Sequence, residues 1–222
     1  MDPSLALPDL FDRAASLSQP RVGYRFGPEN LLLPELLSAF PHPAPEAVLD
    51  LGAGCGILGL LASWTTGANC FLAERNPELL AHLRKNIEQQ APSGEVLEGD
   101  LREQPLPPVD IVVANPPFFR VGDGMRSKHE TVRDATHAHH GEVDDFLRAG
   151  ETSLRPGGHL WLLYPADRLT QALDAALSVD LAPSVICSIH ARHSARSYRC
   201  WVRLERSPKP LTYLALSLLT DR

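Results

Sequence analysis

The sequence predicts an α/β fold, doubly wound, with a mainly parallel seven-stranded sheet, antiparallel edge strands and an N-terminal helical cap. Three observations predict it. Short apolar runs alternate with segments of helical spacing from Ala47 to Leu177, the pattern of parallel strands joined by crossover helices. The first of these runs opens into Gly52, Gly54 and Gly56 directly before a helical stretch, a strand-to-helix turn suited to ligand approach. The last apolar runs follow one another without helices, which points to antiparallel strands at one edge.

In chain order, Leu5 to Leu17 and Leu31 to Phe40 have helical spacing, with Tyr24 to Glu29 as a turn between them. Ala47 to Leu51 is the first strand, followed past the glycines by a helix through Leu61. Asn69 to Ala73 is the second strand, and Pro77 to Gln89 is a helix with Asn76 as its N-cap. Glu95 to Leu97 and Val109 to Ala114 are the third and fourth strands. Val143 to Leu154 reads as a helix ended by Pro156-Gly157-Gly158, before a strand from His159 to Tyr164 and a helix from Ala166 to Leu177. Ser184 to Ile189, Tyr198 to Leu204 and Leu211 to Leu218 close the chain as strands. A length of 222 residues suits one domain, with residues 1–40 as the cap and 41–222 as the core.

Composition excludes several classes. The four cysteines are scattered with no CxxC pair, which argues against a zinc site or a disulfide framework and fits a reducing cytoplasm. The start lacks the charged and apolar regions of a signal peptide, and runs such as Leu160 to Tyr164 are too short to span a bilayer, so no membrane association is expected. The net charge of −6 does not advertise a nucleic-acid binder. Two local stretches do carry positive charge: Arg120, Arg126, Lys128 and Arg133, then Arg192, Arg196, Arg199, Arg203, Arg206 and Lys209. They read as solvated faces or as a phosphate footprint. His137, His139, His140 and Glu142 fall in a polar loop and are read as loop residues, with no metal site expected.

The most informative residues are Asn115-Pro116-Pro117-Phe118, directly behind the apolar run that ends at Ala114. The prolines fix φ and remove two donors, leaving a rigid platform of free carbonyls beside an amide oxygen. Such acceptors with an aromatic face suit a planar group bearing an NH2, most naturally a nucleobase. Phe118 would stack on it, and Phe119 is read equally as core or as substrate contact.

The glycine turn admits two readings. Gly54, Gly56 and Gly59 match a dinucleotide fingerprint, with Glu74 at the distance expected for a ribose contact. Asp50 at the strand end, with Gly52 two residues on, instead matches the arrangement of methyltransferases that bind S-adenosylmethionine. The Asn-Pro-Pro-Phe motif has no role in hydride transfer and favours the second reading. Glu74 would then accept the ribose hydroxyls, and Asp100 is read equally as accepting the adenine amine of the cofactor or as a plain turn residue.

Taken together, these residues resemble the bacterial tRNA(Val) adenine-N6 methyltransferase family over nearly the whole chain. Tyr24 to Leu33 is similar to that family's opening signature, with Phe26 near the cofactor and its acidic position at Glu29. Lys128-His129-Glu130 is similar to the Arg-His-Glu that follows the family's Pro-Pro motif, and Leu154 to Gly158 and Tyr164 to Leu169 match its later blocks. The chain departs at Phe118, where many members have Tyr, and at Pro28-Glu29-Asn30. The resemblance implies a Rossmann-like methyltransferase fold, S-adenosyl-L-methionine as cofactor, and Asn115, Pro116, Pro117 and Phe118 as catalytic residues. It implies cofactor contacts from Phe26, Glu29, Asp50, Gly52, Gly54, Gly56, Glu74, Asp100 and Asn115. Phe119, Arg120, Arg126, Lys128, His129, Arg192 and Arg196 would face an RNA substrate, a tRNA by resemblance. The same motif also occurs in enzymes that methylate guanine-N2 of ribosomal RNA, adenine-N6 of DNA or a protein glutamine. A binding module for S-adenosylmethionine or RNA is the non-enzymatic alternative.

Overall fold

The computed structural model describes residues 7–21, 25–91, 93–117, 143–191, 194, 196–207 and 210–218. In chain order the elements are α1 (Leu7–Ala15), a 3-10 turn (Pro28–Leu32), α2 (Leu33–Ala39), β1 (Ala47–Leu51) and α3 (Ile57–Thr66). Next come β2 (Asn69–Glu74), α4 (Pro77–Gln90), β3 (Glu95–Glu98) and β4 (Val109–Ala114). The chain continues through α5 (Val143–Ser153), β5 (Leu154–Pro165), α6 (Leu169–Leu177), β6 (Ala182–Ala191), β7 (Ser197–Glu205) and β8 (Thr212–Leu218).

Among the described residues all eight strands join one sheet in the order β3-β2-β1-β4-β5-β7-β6-β8. The sheet is mainly parallel and doubly wound, as expected, with one strand more than seven. Its antiparallel member is β7, paired on both sides and lying between β5 and β6 rather than at the edge. The cause is chain length: only a short turn links β6 to β7, too short for a crossover, so β7 must run back. β8 then passes beyond β6 and pairs with it in parallel, forming the outer edge.

β1 and β4 are buried at every residue, which is why they read as unbroken apolar runs. The helices divide between the two faces. Leu10, Leu33, Leu36, Leu60, Leu61 and Leu83 from α1 to α4 pack one face, with Trp161 and Trp201 at its centre. Phe146, Leu147, Ala172 and Ala176 from α5 and α6 pack the other. Trp161 and Trp201 meet edge to face at 6.4 Å, a geometry that contributes about 0.5–1.5 kcal/mol beyond their burial. No described helix is long and apolar enough to cross a membrane.

Candidate active site

Three parallel strands finish level with one another. Leu51 on β1 is paired with Ala73 on β2 and with Ala114 on β4. Glu74 is paired with Glu98 on β3. The residues that leave these strands, Gly52, Glu74, Asn115 and the Gly99-Asp100 turn, therefore emerge side by side at the carboxyl edge. The winding reverses between β1 and β4, so this is the crevice where a doubly wound sheet admits a ligand.

At β1's end the chain turns through left-handed glycines. Gly54 has φ +61°, and a Cβ built on it meets nothing within 4 Å, so open space lies directly above its backbone. Gly52, at φ +66°, is closed instead: a Cβ there would come within 2.9 Å of the Phe146 ring on α5. The loop is held in shape by Gly56 N–H donating to the Ala53 carbonyl at 2.8 Å and by Ala53 N–H donating to the Ala73 carbonyl at 2.9 Å.

The three predicted acids sit around this turn in different states. Asp50 is 1% exposed and turned onto α3, where its Oδ2 accepts the Gly59 N–H at 2.8 Å. Burial, reinforced by the charge of Glu74, pushes its carboxyl up to about 7 against the pull of that N–H. Glu74 accepts three backbone N–H groups: Gly54 at 2.7 Å on Oε2, and Arg75 at 2.9 Å and Asn76 at 2.8 Å on Oε1. It thus ties the glycine loop to the start of α4, whose N-cap is Asn76 as expected. Asp100 is paired with Arg102 at 2.6 Å and Arg75 at 3.0 Å, and the Arg102 bond in particular holds it well below the usual carboxylate range.

Asn115 is half-buried with its side-chain oxygen shielded from solvent, and Pro116 behind it is buried. Phe118, Phe119, Arg120, Arg126, Lys128, His129 and Arg192 lie outside the described residues, as do Tyr24, His137, His139, His140 and Glu142. From the cap, Phe26 packs on the helix-covered core, and the Glu29 carbonyl accepts the Trp201 indole N–H at 2.9 Å. The Glu29 carboxylate folds back over Gly27, where a Cβ would overlap it.

Among the described residues the late basic stretch does not form one footprint; Lys209, like Arg192, lies outside them. Arg196 is exposed in the β6–β7 turn, and Arg199 is paired with Pro165 at the carboxyl edge. Arg203 is instead engaged with His159 and Glu205, and Arg206 with Glu151 and the Leu154 carbonyl, towards the opposite edge. The strand's length separates the charges into two groups, only one of which is on the ligand side.

Sequence reasoning missed Arg75 and Arg102, although Asp100-Leu101-Arg102 in a turn was a local signal. It also missed Phe146 against Gly52, and Asn86, whose amide donates to the Cys55 carbonyl at 2.8 Å. No local pattern marks either contact.

A glycine with open space above it, flanked by carboxylates and level with Asn115, suits a ribose joined to a cationic amino acid better than a pyrophosphate. The residues present therefore fit S-adenosylmethionine, and the protein is a methyltransferase dependent on it. The chain belongs to the methyltransferase small domain family, whose sequence profile matches residues 31–177. It is 27% identical over 193 residues to the tRNA1(Val) (adenine(37)-N6)-methyltransferase of Aeromonas hydrophila, covering 84% of this chain and 78% of that one. It is 30% identical over 126 residues to the ribosomal RNA small subunit methyltransferase C of Sodalis glossinidius, covering 56% of this chain and 32% of that one. Among solved structures it resembles a candidate RNA methyltransferase from Pyrococcus horikoshii in fold, with TM-score 0.67, 18% identity, and 89% and 94% of the two chains covered.

Proposed function

We propose that the chain methylates the N6 amine of adenine in RNA, with a tRNA as its substrate, in the cytoplasm. The observation that carries this reading is the register of β1 against β4, which sets Asn115 beside the glycine turn. An amine acceptor platform is thereby adjacent to the methyl donor's loop. The relatives named tRNA1(Val) (adenine(37)-N6)-methyltransferase, which match most of this chain, support adenine and tRNA over other acceptors.

S-adenosylmethionine supplies an electrophilic methyl group when bound. The chain's own task is to present a poor nucleophile correctly. The lone pair of an exocyclic adenine amine is delocalised into the ring. Asn115 Oδ1 and the Pro116 carbonyl accept its two hydrogens, which favours a pyramidal nitrogen and leaves the lone pair directed at the donor. This is preorganised electrostatics and uses no general base before transfer. The bond from sulfur to methyl would break as the N–C bond forms, S-adenosylhomocysteine would leave, and the methylated nitrogen would give its surplus proton to water. Pro116 and Pro117 keep the two acceptors from relaxing, because their φ angles are fixed. Phe118 stacks on the base, worth about 1–3 kcal/mol.

Transfer of tritiated methyl groups to total RNA and to a protein extract of the source cell, followed by nucleoside digestion, tests the acceptor. The expected product is N6-methyladenosine in the tRNA fraction. N2-methylguanosine, or label in protein alone, would overturn the reading. Asn115→Ala is expected to lower methyl transfer by about 10²–10³-fold while calorimetry finds S-adenosylmethionine binding nearly intact. Joint loss of binding and activity would remove Asn115 from the acceptor role.

A further inference from the structure

Asn86 lies on the inner side of α4, 1% exposed, and its amide is engaged by two segments distant in sequence. Its Oδ1 accepts the Ser18 N–H at 2.7 Å, while Nδ2 donates to the Ser18 carbonyl at 2.9 Å and to the Cys55 carbonyl at 2.8 Å. Ser18 Oγ also lies 2.8 Å from His82 Nδ1, one helical turn earlier on α4. Ser18 follows α1 in the N-terminal cap, and Cys55 sits between Gly54 and Gly56 in the cofactor loop.

The Cys55–Gly56 peptide is consequently fixed at both ends. Its carbonyl is held by Asn86, and its N–H by the Ala53 carbonyl at 2.8 Å. That peptide adjoins Gly54, over which the ligand space opens. A buried amide with donor and acceptor both used has no substitute of the same shape. A carboxylate would turn an oxygen on two carbonyls, and a leucine would leave three backbone groups without partners.

We infer that Asn86 is a positioning residue for the cofactor loop, and that through it cofactor binding steadies the N-terminal cap together with the loop. The inference concerns the S-adenosylmethionine site and is independent of which base accepts the methyl group.

The non-reactive product S-adenosylhomocysteine serves as the probe. Asn86→Asp keeps the acceptor for Ser18 N–H and removes both donor bonds. Calorimetry is expected to show its Kd for the probe raised at least about tenfold, with kcat at saturating S-adenosylmethionine close to wild type. A variant that melts earlier yet binds the probe with wild-type affinity would make Asn86 purely structural and overturn the inference. The wild-type protein supplies a second measurement that needs no variant. Hydrogen exchange with the probe bound should slow at amides 54–60 and, in the same step, at the Ser18 amide. Protection confined to the loop would refute the coupling.

Discussion

Replacing Asp50 by asparagine probes the electrostatics of the site directly. Asp50 is fully shielded, and burial with the neighbouring Glu74 moves its pKa from 3.8 to about 7 despite the Gly59 N–H. The unfolded chain releases this proton near 3.8 and the folded chain near 7. Between those values the folded state binds more protons, so stability falls as pH rises through the window and levels off above it. The shift corresponds to a cost on the order of 4 kcal/mol for the ionised side chain at pH 8. The asparagine side chain would keep an oxygen for Gly59 N–H and carry no charge. In urea unfolding, the stability of Asp50→Asn relative to wild type should therefore grow by about 3 kcal/mol between pH 4.5 and pH 8. Groups that do not face Asp50 titrate alike in both proteins and cancel, whereas Glu74, whose charge is coupled to Asp50, adds only a smaller change. A difference that stays flat across this range would refute the argument. A cationic ligand favours the ionised carboxylate, so wild type should release protons on binding S-adenosylmethionine near pH 6.5 and the variant should release fewer. Calorimetry in buffers of different ionisation enthalpy reads that difference.

Gly54→Ala places a methyl group in the open space of the loop on a left-handed backbone, at a conformational cost of about 1–2 kcal/mol. Its Kd for S-adenosylhomocysteine should rise at least about tenfold, and unchanged affinity would mean that the ligand passes elsewhere. His159 is wholly buried, and burial, then Arg203 and His42, lower its pKa from 6.5 to about 3. Stability from the neutral imidazole is complete above the unfolded value and is lost as pH falls from 6.5 towards 3. His159→Gln should shift the midpoint of acid unfolding to lower pH by circular dichroism; an unchanged midpoint would show that His159 does not drive it.

The parts of the fold legible in sequence are those whose burial is symmetric. β1 and β4 begin and end where the apolar runs do, because strands covered on both faces need no polar alternation. β5 is less legible. Pro156-Gly157-Gly158 reads as a stop signal before a strand at His159, yet the strand starts at Leu154 and carries these residues through a shift in register against β4. Gly157, at φ +81°, absorbs that irregularity. Likewise α3 runs beyond Leu61 to Thr66 and stops at Gly67, a left-handed cap that periodicity alone does not mark. For the site, Asp50, Glu74, Asp100 and Asn115 are legible as strand-end residues, since sheet topology brings strand ends together. Their partners are not. Arg75, Arg102, Asn86 and Phe146 act across elements, and nothing local in the chain encodes which element packs on which.

Those partners also bear on how an acidic protein could present a crowded acidic site to a polyanion. Three carboxylates around one loop, in a chain of net charge −6, would repel a phosphate backbone if their fields reached it. The geometry directs each charge inward. Asp50 is turned onto the N-terminal turn of α3 and is about half protonated near neutral pH. Glu74 is surrounded by three N–H donors, two of them leading into α4. Asp100, the most outward of the three, is held between two guanidinium groups. What remains is a short-range negative lining that suits a cationic cofactor at contact distance and is screened beyond about one Debye length, roughly 8 Å at physiological salt. Phosphates further out would instead meet the Arg196 and Arg199 side of the β6–β7 turn. On the proposed RNA reading, cofactor affinity and RNA affinity would be set by charges of opposite sign at different depths, and neither would require a change in the protein's net charge.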